Sequence, residues 1–351
     1  MERLALVRRA SGPVLCLLLL FAPLVTDGYT QYILNLVLIY VIVGIGLNFL
    51  LGFAGQFAFA HAALMGIGAY TTGLLGSRLG VSFWICLPLS GVVAAAIGSV
   101  CALPAMRMKR VYLALVTLAF AELIVWVLVN WKSLTFGTDG VSIATPRFFG
   151  WRVHGDKRVF YVVLVATVIM YVLARRILES RIGRALLAIR ENEIVAQCNG
   201  INIAATKALV FALSAFYAGI AGSLYALALG FIVPSSFGLA QLVLHFSIVV
   251  LGGLLSLYGA VIGAVLLTTL PEVLRDVQAV QEIIYGIVLM IVVIVMPQGI
   301  AGVLQHWGIL PREVLARQWR RWLPSVGKAS AQPLPADAAH GEKRTPMGAP
   351  R

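Results

Sequence analysis

Residues 28–77 and 208–271 contain no Lys, Arg, Asp or Glu at all. Stretches of that length without a charge are incompatible with the surface of a water-soluble domain, where charged side chains are spread over every exposed face. A hydrocarbon core about 30 Å thick is crossed by roughly 20 apolar residues in a helix. The pattern therefore predicts an all-α polytopic membrane protein. Reading windows of that length places ten transmembrane helices near 12–26, 30–51, 58–77, 82–104, 111–131, 159–175, 208–230, 238–254, 256–271 and 281–297. The pair around Gly252-Gly253 is the least sharply separated, and one long tilted or broken helix over 238–271 would reduce the number to nine. Strands do not account for these runs, which are too long for barrel strands and do not alternate.

Orientation follows from the basic residues. With both termini inside, 20 of the 27 lysines and arginines fall on the cytoplasmic side and seven outside, five of those in the 132–158 loop. This is the bias of the positive-inside rule. The net charge of +13 thus reports topology and attraction to anionic lipid rather than nucleic acid. The N-terminal arginines followed by Val14–Val25 resemble a signal peptide, but no small-x-small cleavage site follows, so a first membrane helix is expected. The four cysteines (Cys16, Cys86, Cys101, Cys198) have no CxxC or zinc spacing, so neither a disulfide framework nor a metal site is expected.

Several function classes are excluded by absences. No GxxxxGK[ST] loop is present to cradle phosphates, and HExxH and GxSxG are missing too. The histidines at 61, 154, 245, 306 and 340 have no acidic or cysteine partners at ligand spacing. Glu122 is the one carboxylate in the middle of an expected span, Glu282 standing at the edge of another. An intramembrane carboxylate marks either a solute pathway or a neutral, hydrogen-bonded group facing the bundle interior. A proton-driven pump would carry more such groups.

Two segments carry the functional signal. Residues 48–70, NFLLGFAGQFAFAHAALMGIGAY, interrupt apolar sequence with glycines and with Asn48, Gln56 and His61 before ending at Tyr70. Irregular backbone at membrane depth is tolerated only where protein buries it or where it lines a cavity. The segment is either a tight inter-helix turn at Gly52–Gln56 with close packing at Gly66 and Gly68, or part of a solute pathway lined by Gln56 and His61. Residues 181–200, RIGRALLAIRENEIVAQCNG, form a charged island between uncharged spans. Ile182, Leu186, Ile189 and Ala196 recur at helical spacing, with Arg184 and Arg190 off that stripe. Asn192 is placed to cap a short helix running to Cys198, and Asn199-Gly200 suits its C-terminus. Such a helix lies on the membrane surface, caps the bundle, or inserts into a groove on a partner.

The run GLNFLLGFAGQFAFAHAALMGIGAYTTGLL resembles the signature of permease subunits of branched-chain amino acid ABC importers, where G-[YF]-x-G-Q-x-S-L-G-H-A stands at this place. The likeness continues through 111–124, 134–142, 180–202 and 212–226 to VLGGLLSLYGAVIGAVLLTTLPEVLR at 250–275, in family order. It is to the longer of the two paralogous permeases of such systems. Departures are Ala58 and Ala60 where the family has Ser and Gly, and Leu244-His245 where a glutamate is common. Gly253-Leu254-Leu255-Ser256 and Gly259-Ala260 replace GLGS and Gly-Pro.

The resemblance implies residues 1–305 as a transmembrane permease domain similar to vitamin B12-type importers, with 306–351 a basic, disordered tail. It implies that 181–200 is the coupling helix that fits a cleft on the ATPase, with Arg184, Arg190, Glu191, Asn192, Glu193 and Gly200 as its contacts. It places Asn48, Gln56, His61, Tyr70, Glu122 and His245 along the solute pathway. The implied partners are a second permease subunit, two ATP-binding subunits that hold ATP and Mg, and a periplasmic solute-binding protein, in a bacterial inner membrane. The chain itself carries no catalytic site in this reading. Relatives of the family also move urea and short amides, and an ion-coupled secondary transporter is the rival mechanism. Leu51-Gly-Phe53 and Leu229-Gly-Phe231 end the second and seventh expected spans, which raises the hypothesis of an inverted repeat.

Overall fold

The computed structural model describes residues 20, 23, 26–105, 110–143, 147–148, 151–152, 156–273, 286, 290 and 299–306. The expected spans at 12–26 and 281–297 and the tail beyond 306 lie, apart from isolated positions, outside the described residues.

The chain is helical where charge is absent. Helix α1 (Gly28–Asn48) runs into a π-turn at Phe49–Phe53, and α2 (His61–Leu79) follows after an extended stretch. Next come α3 (Phe83–Ala105), α4 (Arg110–Asn130) and α5 (Asp156–Glu179). Two short helices, α6 (Arg181–Glu191) and α7 (Glu193–Cys198), lead to α8 (Ile203–Leu229). The series closes with α9 (Leu239–Gly252), α10 (Leu257–Val273) and α11 (Gly299–His306). Among the described residues six helices are long and apolar enough to cross a membrane, and the Leu257–Glu272 helix is apolar but shorter. The chain is thus an all-α, multi-pass membrane protein.

The 238–271 region is two helices rather than one. Gly253 has φ 118° and Leu255 φ 66°, so the chain reverses between α9 and α10. Glycine makes the hairpin close: a Cβ on Gly252 or Gly263 would strike the backbone of Gly259 or Ile248. Small residues play the same part at the centre, where α8 packs on α2 and α3. A Cβ on Gly68 would enter the Gly219 backbone, and one on Gly222 would enter that of Met65. Hydroxyls tie these faces, with Thr72 Oγ1 donating to Ser223 Oγ at 2.7 Å and Ser90 Oγ to the Gly219 carbonyl at 3.2 Å.

Strands, unexpected from the sequence, occur as two short antiparallel pairs outside the helices. β1 (Val141–Ser142) pairs with β4 (Phe231–Ile232), and β2 (Arg147–Phe148) with β3 (Trp151–Arg152). The first pair joins the 134–142 loop to the end of α8. It sits by the C-terminal half of α2, where a Cβ on Gly73 would meet Val141 and Arg78 donates to the Ser133 and Leu134 carbonyls.

Candidate functional site

Helix α1 does not end as an ordinary helix. The Ala54 amide donates to Phe49 O at 3.1 Å and the Gln56 amide to Leu50 O at 2.9 Å, a widened last turn with Gly55 at φ 65°. Glycine is needed there because that conformation places a side chain against its own carbonyl. Residues 55–60 then continue without helix until His61 opens α2. The Phe59 amide, left without a helical acceptor, donates to Thr117 Oγ1 of α4 at 2.9 Å. A break of this kind inside an apolar region requires protein partners for its backbone, and Thr117 supplies one.

Asn48 holds this break to the α9–α10 turn. Its Nδ2 donates to Ser256 O at 2.9 Å and its Oδ1 accepts from Leu255 N at 3.2 Å. The second bond fastens a non-glycine residue in the left-handed region, which otherwise costs about 1–2 kcal/mol. Asn48 was expected on the pathway; the structure shows its amide engaged on both sides as a clamp.

His61 and His245 come together. Both are buried, and their rings meet edge to face with centroids 5.6 Å apart. Gln241 Nε2 lies 3.2 Å from His245 Nε2 and donates to the Tyr40 hydroxyl at 3.0 Å. A Cβ on Gly46 of α1 would stand 3.0 Å from His61 Nε2 and 3.3 Å from Ser214 O, which places the α8 backbone beside the pair. Among the described residues, neither nitrogen of His61, nor Nδ1 of His245, nor Ser214 Oγ has a hydrogen-bond partner, and the side-chain amide of Gln56, buried in the broken segment, has none either. Imidazole and amide groups can exchange partners without carrying a fixed charge into the interior. Such a cluster suits a region that rearranges.

Tyr70 is buried midway along α2, with its ring centroid 6.3 Å from that of Phe237. It is not part of the histidine cluster. Glu122 is also apart, exposed on α4 in a shallow groove with Ala119, Trp126 and Asn130. Gln241, Tyr40 and Ser214 were not expected from sequence. Gln241 lies one turn before His245, and that spacing was the available signal.

The charged island folds as its caps dictate. Ser180 Oγ accepts from Ile182 N at 3.1 Å to start α6, and Asn192 Oδ1 accepts from Ile194 N at 2.9 Å and Val195 N at 3.2 Å to start α7. Leu186, Ile189 and Ala196 are buried, and Gly200 ends the motif at φ 80°. Arg184, Glu191 and Asn192 are exposed. Two residues of the expected contact set, both partly exposed, bond within the chain. Arg190 donates through Nη1 to the Gly52 carbonyl, and its aliphatic stem covers Gly55. Glu193 pairs with Lys207, whose Nζ lies 2.9 Å from both carboxylate oxygens. Outward, α7 exposes two large apolar residues beside Gln197 and Cys198: Ile194 is 73% and Val195 56% exposed. Sequence periodicity could not reveal them, since a helix of six residues has too few turns to show a face.

Comparisons with known proteins show the family. Residues 29–296 match the family described as branched-chain amino acid transport system / permease component. Over 302 residues the chain is 34% identical to the high-affinity branched-chain amino acid transport system permease protein LivM of Escherichia coli (strain K12), covering 79% of this chain and 71% of that one. It is 30% identical over 283 residues to the LivH permease protein of the same strain, covering 75% and 91%. A probable LivM permease protein of Methanocaldococcus jannaschii is 26% identical over 276 residues, covering 68% and 79%. No solved structure matches. With three quarters of its length aligned to that family, and with the broken span and the capped charged helices both inside the aligned residues, the chain belongs to the permease components of branched-chain amino acid transport systems.

Proposed function

We propose that this chain is a membrane-spanning subunit of an ATP-driven importer that moves branched-chain or other apolar amino acids into the cell. The observation that carries the mechanism is the bond from Arg190, in the docking helices, to Gly52, at the break of α1. A helix pushed by a partner there moves the start of the 54–60 segment directly, and with it His61 and the Asn48 clamp. The chain acts as a two-state gate biased by ligands bound elsewhere. ATP and Mg belong to two separate ATP-binding subunits, since this sequence has no phosphate-cradling loop.

The remaining parts follow from topology. The α6–α7 side is cytoplasmic, as are both termini, in a bacterial inner membrane. The 132–158 loop on the opposite side contacts a periplasmic solute-binding protein, and a second permease completes the pathway. An inverted repeat within a ten-helix fold similar to vitamin B12-type importers is supported by three features. Seven residues lie between Phe53 and His61, and seven between Phe231 and Leu239. Helix α1 packs on α9 and α10 while α8 packs on α2 and α3. The 52–55 break adjoins α6, whereas Phe231–Ile232 pairs with the loop at the other end of α2.

The deciding experiment is reconstitution in proteoliposomes with the ATP-binding subunits, the second permease and the binding protein, with leucine and urea as competing solutes. Uptake of leucine that needs ATP and survives collapse of ion gradients supports the reading. Uptake of urea alone removes the amino acid assignment, and uptake driven by an ion gradient removes the ABC mechanism.

A further inference from the structure

Of the six candidate spans, the one in α4 has the least of its surface buried within the chain. Its inner side (Leu113, Thr117, Ala121, Leu128) is buried. Its outer side carries Tyr112, Leu115, Leu123 and Trp126, each between 54% and 63% exposed, and Glu122 lies among them near mid-helix, also exposed. No ion-pair partner for Glu122 occurs among the described residues. A carboxylate at membrane depth facing hydrocarbon is strongly unfavourable, and such groups face protein or a water-filled path. Lipid is therefore not what covers this face.

The face is not isolated. Thr117 on the inner side of α4 holds the Phe59 amide, and the Phe59 ring packs on Phe246 of α9 at 4.7 Å. Beside that pair, Phe57 is 47% and Val243 49% exposed. Among the described residues nothing covers an apolar flank that runs from α4 past the broken segment to α9. Soluble subunits cannot reach mid-membrane, so a membrane-spanning element must cover a helix face of this length, and a second permease brings such elements. A carboxylate within such a seam calls for a cationic group, and a zwitterionic amino acid brings one in its α-ammonium.

We propose that the α4–α9 flank forms the seam with a second permease chain of the same architecture, and that Glu122 lies in the solute path within that seam, receiving the α-ammonium of the amino acid in transit. This rests on the amino acid importer reading and adds to it the surface and the recognising group. Neutral amides would gain a hydrogen bond from Glu122 but no charge pairing.

The test uses the complete importer in proteoliposomes. Glu122→Gln lowers leucine moved per ATP hydrolysed by about tenfold or more, because one partner of a desolvated charge pair is lost, and Glu122→Asp restores most of it. Cysteines at Ala119 and Trp126 crosslink to the second permease, whereas a cysteine at Val165 on exposed α5 does not. Wild-type coupling in Glu122→Gln overturns the role of the carboxylate, and no crosslink from 119 or 126 overturns the seam. If the wild-type complex moves no amino acid, the importer reading fails instead, and the crosslinks still decide the seam.

Discussion

Arg190 of α6 hydrogen-bonds the backbone carbonyl of Gly52, 138 residues earlier in the chain. The bond joins the only dense charged helix of the central sequence to the point where the first uncharged span loses its helical geometry. The carbonyl is available because the π-turn leaves acceptors at the helix end unmatched.

Arg190→Ala removes that link without touching the exposed face of α6 or α7. A charged donor to a carbonyl contributes about 1.5–3 kcal/mol, so the variant is expected to insert normally and bind the ATP-binding subunits while coupling falls. The readout is leucine taken up per ATP hydrolysed in proteoliposomes. An unchanged ratio would mean that force reaches the break by another route.

Ile194→Asp and Val195→Asp place charge on the two most exposed apolar positions of the docking helices. Interface anchors of this kind carry about 2–4 kcal/mol, so copurification of the ATP-binding subunits should drop sharply for either variant. Membrane levels of the chain should stay constant. Retained copurification would move the contact away from α7.

Glu193 and Lys207 form a pair that is shielded on the lysine side, with Lys207 buried and Glu193 partly exposed. Glu193→Lys sets two cations together and is expected to loosen the α7–α8 junction, seen as faster proteolysis after residue 192. Exchanging both residues (Glu193→Lys with Lys207→Glu) should restore protection. Glu191→Lys, on an exposed residue, should leave proteolysis alone and act only on ATPase coupling.

Asn48→Leu keeps the volume but deprives Leu255 N of its acceptor and leaves Ser256 O with the Ala260 amide alone. Orphaning a shielded backbone group costs about 1–3 kcal/mol, and Leu255 also loses support for its left-handed backbone. Thermal unfolding in detergent should shift down measurably. A shift no larger than that of Leu47→Met, a volume-conserving change in the same helix, would show that the turn is held by packing alone.

Much of the architecture was legible along the chain because it depends on neighbours in sequence. The uncharged runs become helices, since the backbone must satisfy itself where no water reaches. Asn192 starts α7, because a side-chain oxygen caps amides two and three residues ahead. Gly55 and Gly200 take left-handed backbone at the ends of helices, where glycine is cheapest. The glycines read as close packing at 66 and 68 do meet other chain segments at distances a Cβ would forbid. Asn48 and Arg190 were singled out as polar residues in unusual places, but the groups they engage could not be read from their neighbours.

Hydrophobicity, caps and turn residues act within one or two turns, so the sequence by itself determined an all-α membrane chain, a turn at Gly52–Gln56 and a short helix capped by Asn192 before α8. Only the tertiary structure decided that Arg190 reaches Gly52, that Glu193 pairs with Lys207, that Asn48 clamps a turn 208 residues away, and that His61 meets His245 while Glu122 lies apart from both on the exposed side of α4. A side chain's direction fixes none of this until the elements pack, because each assignment depends on which backbone or ring another helix brings within a few ångströms.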